Sequence, residues 1–302
     1  MDKITLFVYY ILPMLVFLFD LVENFLGTFM LAKRKILEKL GPKNMYMYLF
    51  STDTFLLVQL IFNYISFNWP EHDPTVMSVY VCKIYWFINC ATGALSPYLI
   101  VYISLERFVA FKYPSKKTIM RSKRNQLIYL ALIIVYNCLL YSPIAIFFEI
   151  SSDNSSNQTE NIKQCEFVNL EIQMLLNLID TVNRVLLPFI LMTVFTFLLI
   201  FTIVRSSQRI TQNLSTPNQN NRLKRDIKIS ISLIFINIFY IILALPVSVA
   251  ASSSFSSFGF VITLYIAYSA YAINFYLILF TNSLVSNEFL KMIEKPFGCN
   301  LK

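Results

Sequence analysis

Residues 78–114 read SVYVCKIYWFINCATGALSPYLIVYISLERFVAFKYP. Between Val79 and Phe111 the only charged side chains are Lys83, Glu106 and Arg107. Crossing about 30 Å of hydrocarbon takes about 20 apolar residues, so the run over 78–111 spans a bilayer with length to spare and must tilt or project beyond it. Comparable runs fall at 4–32, 44–67, 125–149, 171–204, 227–251 and 258–281, the fifth again longer than a span needs. No segment has the alternating pattern of a membrane barrel, so the spans are helices whose backbone groups pair internally. The expected fold is an all-α membrane protein, one seven-transmembrane helix bundle occupying 1–302. Composition agrees: 57% of the 302 residues are hydrophobic and 14% charged, against about a quarter charged in soluble domains. With 28 Phe and 18 Tyr but 5 Gly, the helices suit lipid-facing surfaces better than close small-residue packing.

The net charge of +8 does not point to nucleic acid. The basic residues cluster between apolar runs, which is a topology signal, and form no stripe interleaved with stacking aromatics. Lys33, Arg34, Lys35, Lys39 and Lys43 follow the first run. Lys112, Lys116, Lys117, Arg121, Lys123 and Arg124 follow the third, and Arg205, Arg209, Arg222, Lys224, Arg225 and Lys228 follow the fifth. The alternate connections carry Lys163 in 150–170 and no Lys or Arg in 68–77 or 252–257. These loops place the N-terminus outside and the C-terminus in the cytoplasm. The first run is too long for a signal peptide's apolar core, holds Asp20 and Glu23, and is read as a span. Sequons at Asn154 and Asn157 fall in the connection expected outside. Cys82, at the outer end of the third run, and Cys165, just before the fifth, would tie a loop to a helix end if paired. Five cysteines allow other pairings. Cys90 and Cys138 lie at membrane depth as free, buried thiols.

The ending Ser104-Leu105-Glu106-Arg107-Phe108 resembles the Asp/Glu-Arg-Tyr signature of rhodopsin-like G-protein-coupled receptors, and its 25-residue distance from Cys82 matches that family's disulfide cysteine. Other landmarks follow the same frame. Asn24 resembles the family's first-helix asparagine, Asp53 its second-helix aspartate, and Ser96 a serine lining its sodium pocket. Pro188 and Pro246 match the prolines of helices five and six, and Asn274 the Asn of Asn-Pro-x-x-Tyr. Asp226 sits where many members carry an acid that pairs with the signature arginine. The departures are equally specific. Ala244 replaces a Trp, Phe275 and Ile278 replace the Pro and Tyr of the seventh-helix motif, and Thr196 replaces a fifth-helix Tyr. Divergent invertebrate peptide-receptor-like or chemosensory branches have this appearance.

The resemblance implies a switch at the inner end built on Glu106, Arg107, Phe108 and Asp226, where an ion pair holds the closed state and is released on opening. Asn24, Asp53, Ser96 and Asn274 would converge on either a sodium ion with water or a structural polar network. Asp20 and Glu23 are unusual for the family and must face the bundle or carry protons. At the outer end, Asn89 stands where amine receptors carry an aspartate, which argues against a monoamine, and Tyr268 where opsins carry the retinal lysine, so the resemblance excludes a covalent retinal photoreceptor. Asp180 and Arg184, four apart on one helical face, either bind a charged ligand group or pair with each other. Gln59, Asn63, Tyr85, Asn89, Tyr265 and Tyr268 complete a polar-aromatic pocket, with Asn177 and Asn183 nearby. The few residues ahead of the first run leave the ligand to enter between the helix tops and the loop 150–170.

Residues 283–295 have the spacing of a short amphipathic helix on the cytoplasmic membrane surface, and Cys299 after it is a palmitoylation site or a free thiol. The polar stretch 205–225 reads as a flexible loop for partners. The expected partners are an extracellular ligand (a neuropeptide, or a small molecule in a chemosensory receptor), a heterotrimeric G protein, arrestin and membrane lipids. The expected location is the plasma membrane. No cofactor is expected beyond the sodium ion. A single histidine, His72, leaves no material for histidine-based metal sites or triads, so the chain is not read as an enzyme. The rival class is a carrier or channel using Asp20, Glu23 and Asp53 along an ion path.

Overall fold

The computed structural model describes residues 6–32, 43–69, 73–152, 163–167, 169–212, 217–252, 257–271, 273–281, 286–287 and 289–291. Among these, seven helical segments are long and apolar enough to cross a membrane: Phe7–Met30, Asn44–Ser66, Val79–Lys112, Lys123–Phe147, Leu170–Arg205, Leu233–Ala250 and Phe258–Tyr276. Each lies inside, or within two residues of, the run expected for it. The packing is that of a bundle in lipid. Phe25, Leu139 and Phe197 stand out from it, while Leu99, Ile103, Met192 and Tyr265 are sealed within.

Prolines interrupt the backbone pairing of several spans, and three of the carbonyls they free find other donors. A proline inside a helix offers no N–H to the carbonyl four residues back, and in lipid that carbonyl needs another donor. Pro97 leaves the Gly93 carbonyl, and the third span breaks at Ala94 between helices Val79–Gly93 and Leu95–Lys112. The Tyr271 hydroxyl from the seventh span donates to that carbonyl at 3.2 Å. Pro188 leaves the Arg184 carbonyl, next to a π-helical turn over Thr181–Leu186. There the Tyr240 hydroxyl from the sixth span donates at 2.5 Å. Pro143 leaves the Leu139 carbonyl, which takes the Ser142 hydroxyl at 2.8 Å. An unsatisfied buried group costs about 1–3 kcal/mol, so each substitute donor offsets a cost of that order. Two of the three also clamp neighbouring helices together.

Three expectations need correction. The seventh run is two helices, Ser257–Ser269 and Asn274–Thr281, joined by tight turns in which the Ala270 and Tyr271 amides donate three residues back, to Ala267 and Tyr268. The stretch 205–225 is not a loop over most of its length. Helix Leu187–Gln212 runs into it and helix Pro217–Ser252 begins in it. Its Arg, Lys, Gln and Leu residues carry good helix propensity despite their polarity, and Pro217 suits a first helical position. Cys90 and Cys138 are free but half-buried rather than buried.

The connection between the fourth and fifth spans contains an antiparallel hairpin, β1 (Phe148–Ser152) against β2 (Lys163–Phe167), with Ile150 opposite Cys165. Cys165 is disulfide-bonded to Cys82, 83 positions away. Phe148 stacks on Trp86 with ring centroids 5.5 Å apart, so covalent and aromatic contacts fix the hairpin across one end of the third span. The sequons at Asn154 and Asn157 and the cysteine at Cys299 lie outside the described residues. Of the expected amphipathic helix, 286, 287 and 289–291 are helical and the rest lies outside them.

Candidate functional site

At the end of the third span away from the disulfide, Glu106 and Arg107 are both buried. The Arg107 Nε lies 3.6 Å from Glu106 Oε2, and its guanidinium shares a hydrogen bond with the Tyr46 hydroxyl. The better geometry belongs to a residue the sequence did not single out. Arg121 places its Nε 2.5 Å from Glu106 Oε1. Arg121 closes the short helix Lys117–Arg121, which is held at Met120 by a 2.6 Å hydrogen bond from the Tyr102 hydroxyl to its carbonyl. Glu106 is therefore shared between two arginines. Nothing in the primary structure separates Arg121 from Lys116, Lys117, Lys123 and Arg124. Phe108 packs beside Leu199 and Ile203 of the fifth span, with the Lys112 ammonium 5.2 Å from its ring centre. Asp226 falls on helix Pro217–Ser252, but its side chain lies outside the described residues.

At mid-membrane, Asp53, Ser96 and Asn274 meet. The Ser96 hydroxyl donates to Asp53 Oδ1 at 2.6 Å and the Asn274 amide to Oδ2 at 3.3 Å. Asn24 is buried too, but its amide has no hydrogen-bond partner among the described residues. The first span contributes Glu23 instead. Its Oε1 accepts the Phe275 backbone amide at 2.5 Å. Asp20, Glu23 and Asp53 are all essentially inaccessible. Two of the divergent positions have acquired contacts of their own. Thr196 accepts from the Asn237 amide at 3.1 Å, and Ala244 fills a buried position in the main core.

At the disulfide end the expected pocket residues are largely bonded to one another. Asn63 donates to the Tyr268 hydroxyl at 3.0 Å and accepts from Tyr85 at 2.8 Å. Asn89 hydrogen-bonds both tyrosines, and Gln59 donates to Thr92 at 2.8 Å. Tyr265 is fully enclosed in the cluster with Leu56, Leu57 and Leu60, and its hydroxyl has no partner among the described residues. Asp180 and Arg184 pair at 3.1 Å, and the Tyr141 hydroxyl donates to the same Asp180 oxygen at 2.7 Å. The Arg184 guanidinium covers Gly93 so closely that a Cβ there would approach its Cζ to 2.9 Å. A side chain at 93 would force the guanidinium to shift. Arg184 also hydrogen-bonds Cys90 and lies within electrostatic reach of Tyr268 and Tyr271. Beneath it, Asn183 joins three helices by accepting from Tyr98 (2.7 Å) and Tyr136 (2.9 Å) and donating to Asn137 (3.0 Å) and Tyr141 (3.1 Å). Asn177 and Asn183 read from sequence as equivalent neighbours, and only packing makes Asn183 the hub.

A polar core running the length of the bundle, with a shared ion pair at one end and a second ion pair among tyrosines and asparagines at the other, is the layout of a membrane receptor. The family model of the 7 transmembrane receptor (rhodopsin family) matches residues 23–282, and the chain belongs to that family. No curated protein matches the sequence. The chain is a multi-pass membrane protein and a signalling receptor, not an enzyme.

Proposed function

We propose that the chain is a plasma-membrane receptor that binds an extracellular ligand, a neuropeptide, between the helix ends near the Cys82–Cys165 disulfide, and activates a heterotrimeric G protein at the end bearing Arg107. The basic loops, the sequons and the hairpin support an outside N-terminus and a cytoplasmic C-terminus. The observation that carries coupling is the shared acid. Glu106 is divided between Arg107 and Arg121, so the arginine at the mouth of the bundle is held by a contact that helix motion can exchange. Such an exchangeable pair supplies the two states a switch requires, and a ligand shifts their balance only by binding one of them better.

The preference for a peptide rests on Asp180–Arg184. This pair is charged, only partly covered and bounded by Tyr141, Tyr240 and Tyr271, so a ligand carboxylate or guanidinium can exchange with one member of it. Gln59, Asn63, Tyr85, Asn89 and Tyr268 form the neighbouring hydrogen-bonded group, with Tyr265 enclosed beside it. A peptide-library screen with a promiscuous G-protein reporter tests the reading. Activation by peptides carrying a terminal charge supports it, whereas activation by uncharged volatile or lipid-like compounds alone would favour a chemosensory receptor.

At mid-membrane, Asp53, Ser96 and Asn274 offer oxygen ligands in a buried site, and Asn24 adds an unpartnered amide oxygen. This set fits a sodium ion, a hard cation that takes oxygen donors. A bound sodium ion would neutralise Asp53 and favour the closed bundle. The expected result is that replacing potassium by sodium raises the thermal midpoint of the purified receptor and leaves that of Asp53→Asn unmoved. Equal shifts in both proteins would remove the ion from the account.

A further inference from the structure

The seventh span breaks where this chain has no proline. Helix Ser257–Ser269 ends, tight turns follow, and helix Asn274–Thr281 starts afresh. The first amides of any helix have no carbonyl one turn back, and inside a membrane no bulk water replaces it. Here the Phe275 amide finds its acceptor on another helix, in Glu23 Oε1 at 2.5 Å across 252 positions of sequence. Glu23 is fully buried, and one turn along the first span packs closely on the second. At Gly27 an added Cβ would approach the Phe50 ring to 2.8 Å, and Phe50 in turn meets Phe275 edge-on at 6.2 Å. The first, second and seventh spans thus interlock around a single amide.

Phe275 stands where the family resemblance expects proline, which has no amide hydrogen, and Glu23 stands where that resemblance expects no acid. The two departures answer each other, because the hydrogen introduced at 275 is taken up by a carboxyl oxygen introduced at 23. We propose that Glu23 is the positioning residue for the inner half of the seventh helix, capping its first turn from the first helix and fastening the segment that carries Asn274 to the Asp53 site. The consequence for signalling rests on the receptor reading, but the capping itself does not.

The test uses the full-length purified protein and needs neither ligand nor G protein. Hydrogen–deuterium exchange at the Phe275 amide should accelerate roughly 10- to 100-fold in Glu23→Leu, the range for leaving a buried amide without its acceptor. It should stay near the wild-type rate in Glu23→Gln, which keeps an acceptor oxygen. An unchanged rate in Glu23→Leu overturns the proposal. A second arm uses Phe275→Pro, a substitution suited to the first turn of a helix. Glu23→Leu should lower the thermal midpoint of the otherwise wild-type protein, and lower it by less than half as much in the Phe275→Pro background. Equal lowering in both backgrounds means that Glu23 acts on something other than this amide, and the proposal fails. If capping is upheld while the G-protein reporter is silent throughout, the receptor coupling fails and the helix cap stands.

Discussion

Asn183→Ala is expected to destabilise the bundle by about 3–5 kcal/mol, because losing one amide strands several buried groups at about 1–3 kcal/mol each. The partners do not suffer equally. Tyr98 and Asn137 are almost wholly buried and cannot turn to solvent. Tyr141 keeps its bond to Asp180, and Tyr136 lies 41% exposed. Most of the loss therefore comes from Tyr98 and Asn137, and Tyr136→Phe should cost under about 1 kcal/mol, the worth of an ordinary single hydrogen bond. In thermal unfolding of the purified protein, Asn183→Ala should lower the midpoint by roughly 10 °C, at 2–4 °C per kcal/mol for a chain of this order. A shift no larger than that of Tyr136→Phe would show that the hub is not a stabilising unit.

The second large effect lies at the opposite end. Glu106→Gln removes the charge that both Arg107 and Arg121 face, so the closed arrangement loses its main ionic contact. Breaking one member of a buried pair costs about 3–5 kcal/mol. If even 1.4 kcal/mol of that falls on the closed state alone, the open fraction rises about tenfold. Ligand-free G-protein signalling should rise accordingly. Arg121→Ala should move it the other way, since Glu106 then has Arg107 alone as its ionic partner. These opposite signs separate a shared-acid switch from a simple loss of structure, which would lower the signal in both variants. A rise in both, or no change in Glu106→Gln, would contradict the account.

The fold was legible in the primary structure for physical reasons that need little context. Hydrocarbon thickness sets run length, so the seven segments could be placed within a few residues. Prolines were legible as kinks, but the groups that satisfy them were not, because Tyr240 and Tyr271 reach their carbonyls from helices 56 and 178 positions away in sequence. The stretch 205–225 was misread because polarity marks exposure to water and not the absence of a helix. The hairpin Phe148–Ser152 with Lys163–Phe167 was overlooked because its register depends on the Cys82–Cys165 link and on stacking against Trp86. The mid-membrane group shows both outcomes. Asp53, Ser96 and Asn274 are joined by hydrogen bonds, whereas Asn24 has no such partner among the described residues and Glu23 bonds the neighbouring Phe275 amide. That exchange depends on a break in the seventh helix that appears in the sequence only as a missing proline.

The central claim is that a ligand at the disulfide end is read out through Arg107 to a G protein. It is tested most directly in cells expressing the chain, by recording G-protein dissociation driven by a peptide recovered from the library screen, in wild type and in Arg107→Ala, at matched surface levels. The account predicts a dose-dependent response in wild type that falls at least about tenfold in Arg107→Ala, the equivalent of 1.4 kcal/mol of lost coupling. Solute uptake or ionic current without G-protein dissociation, unchanged by Arg107→Ala, would contradict it.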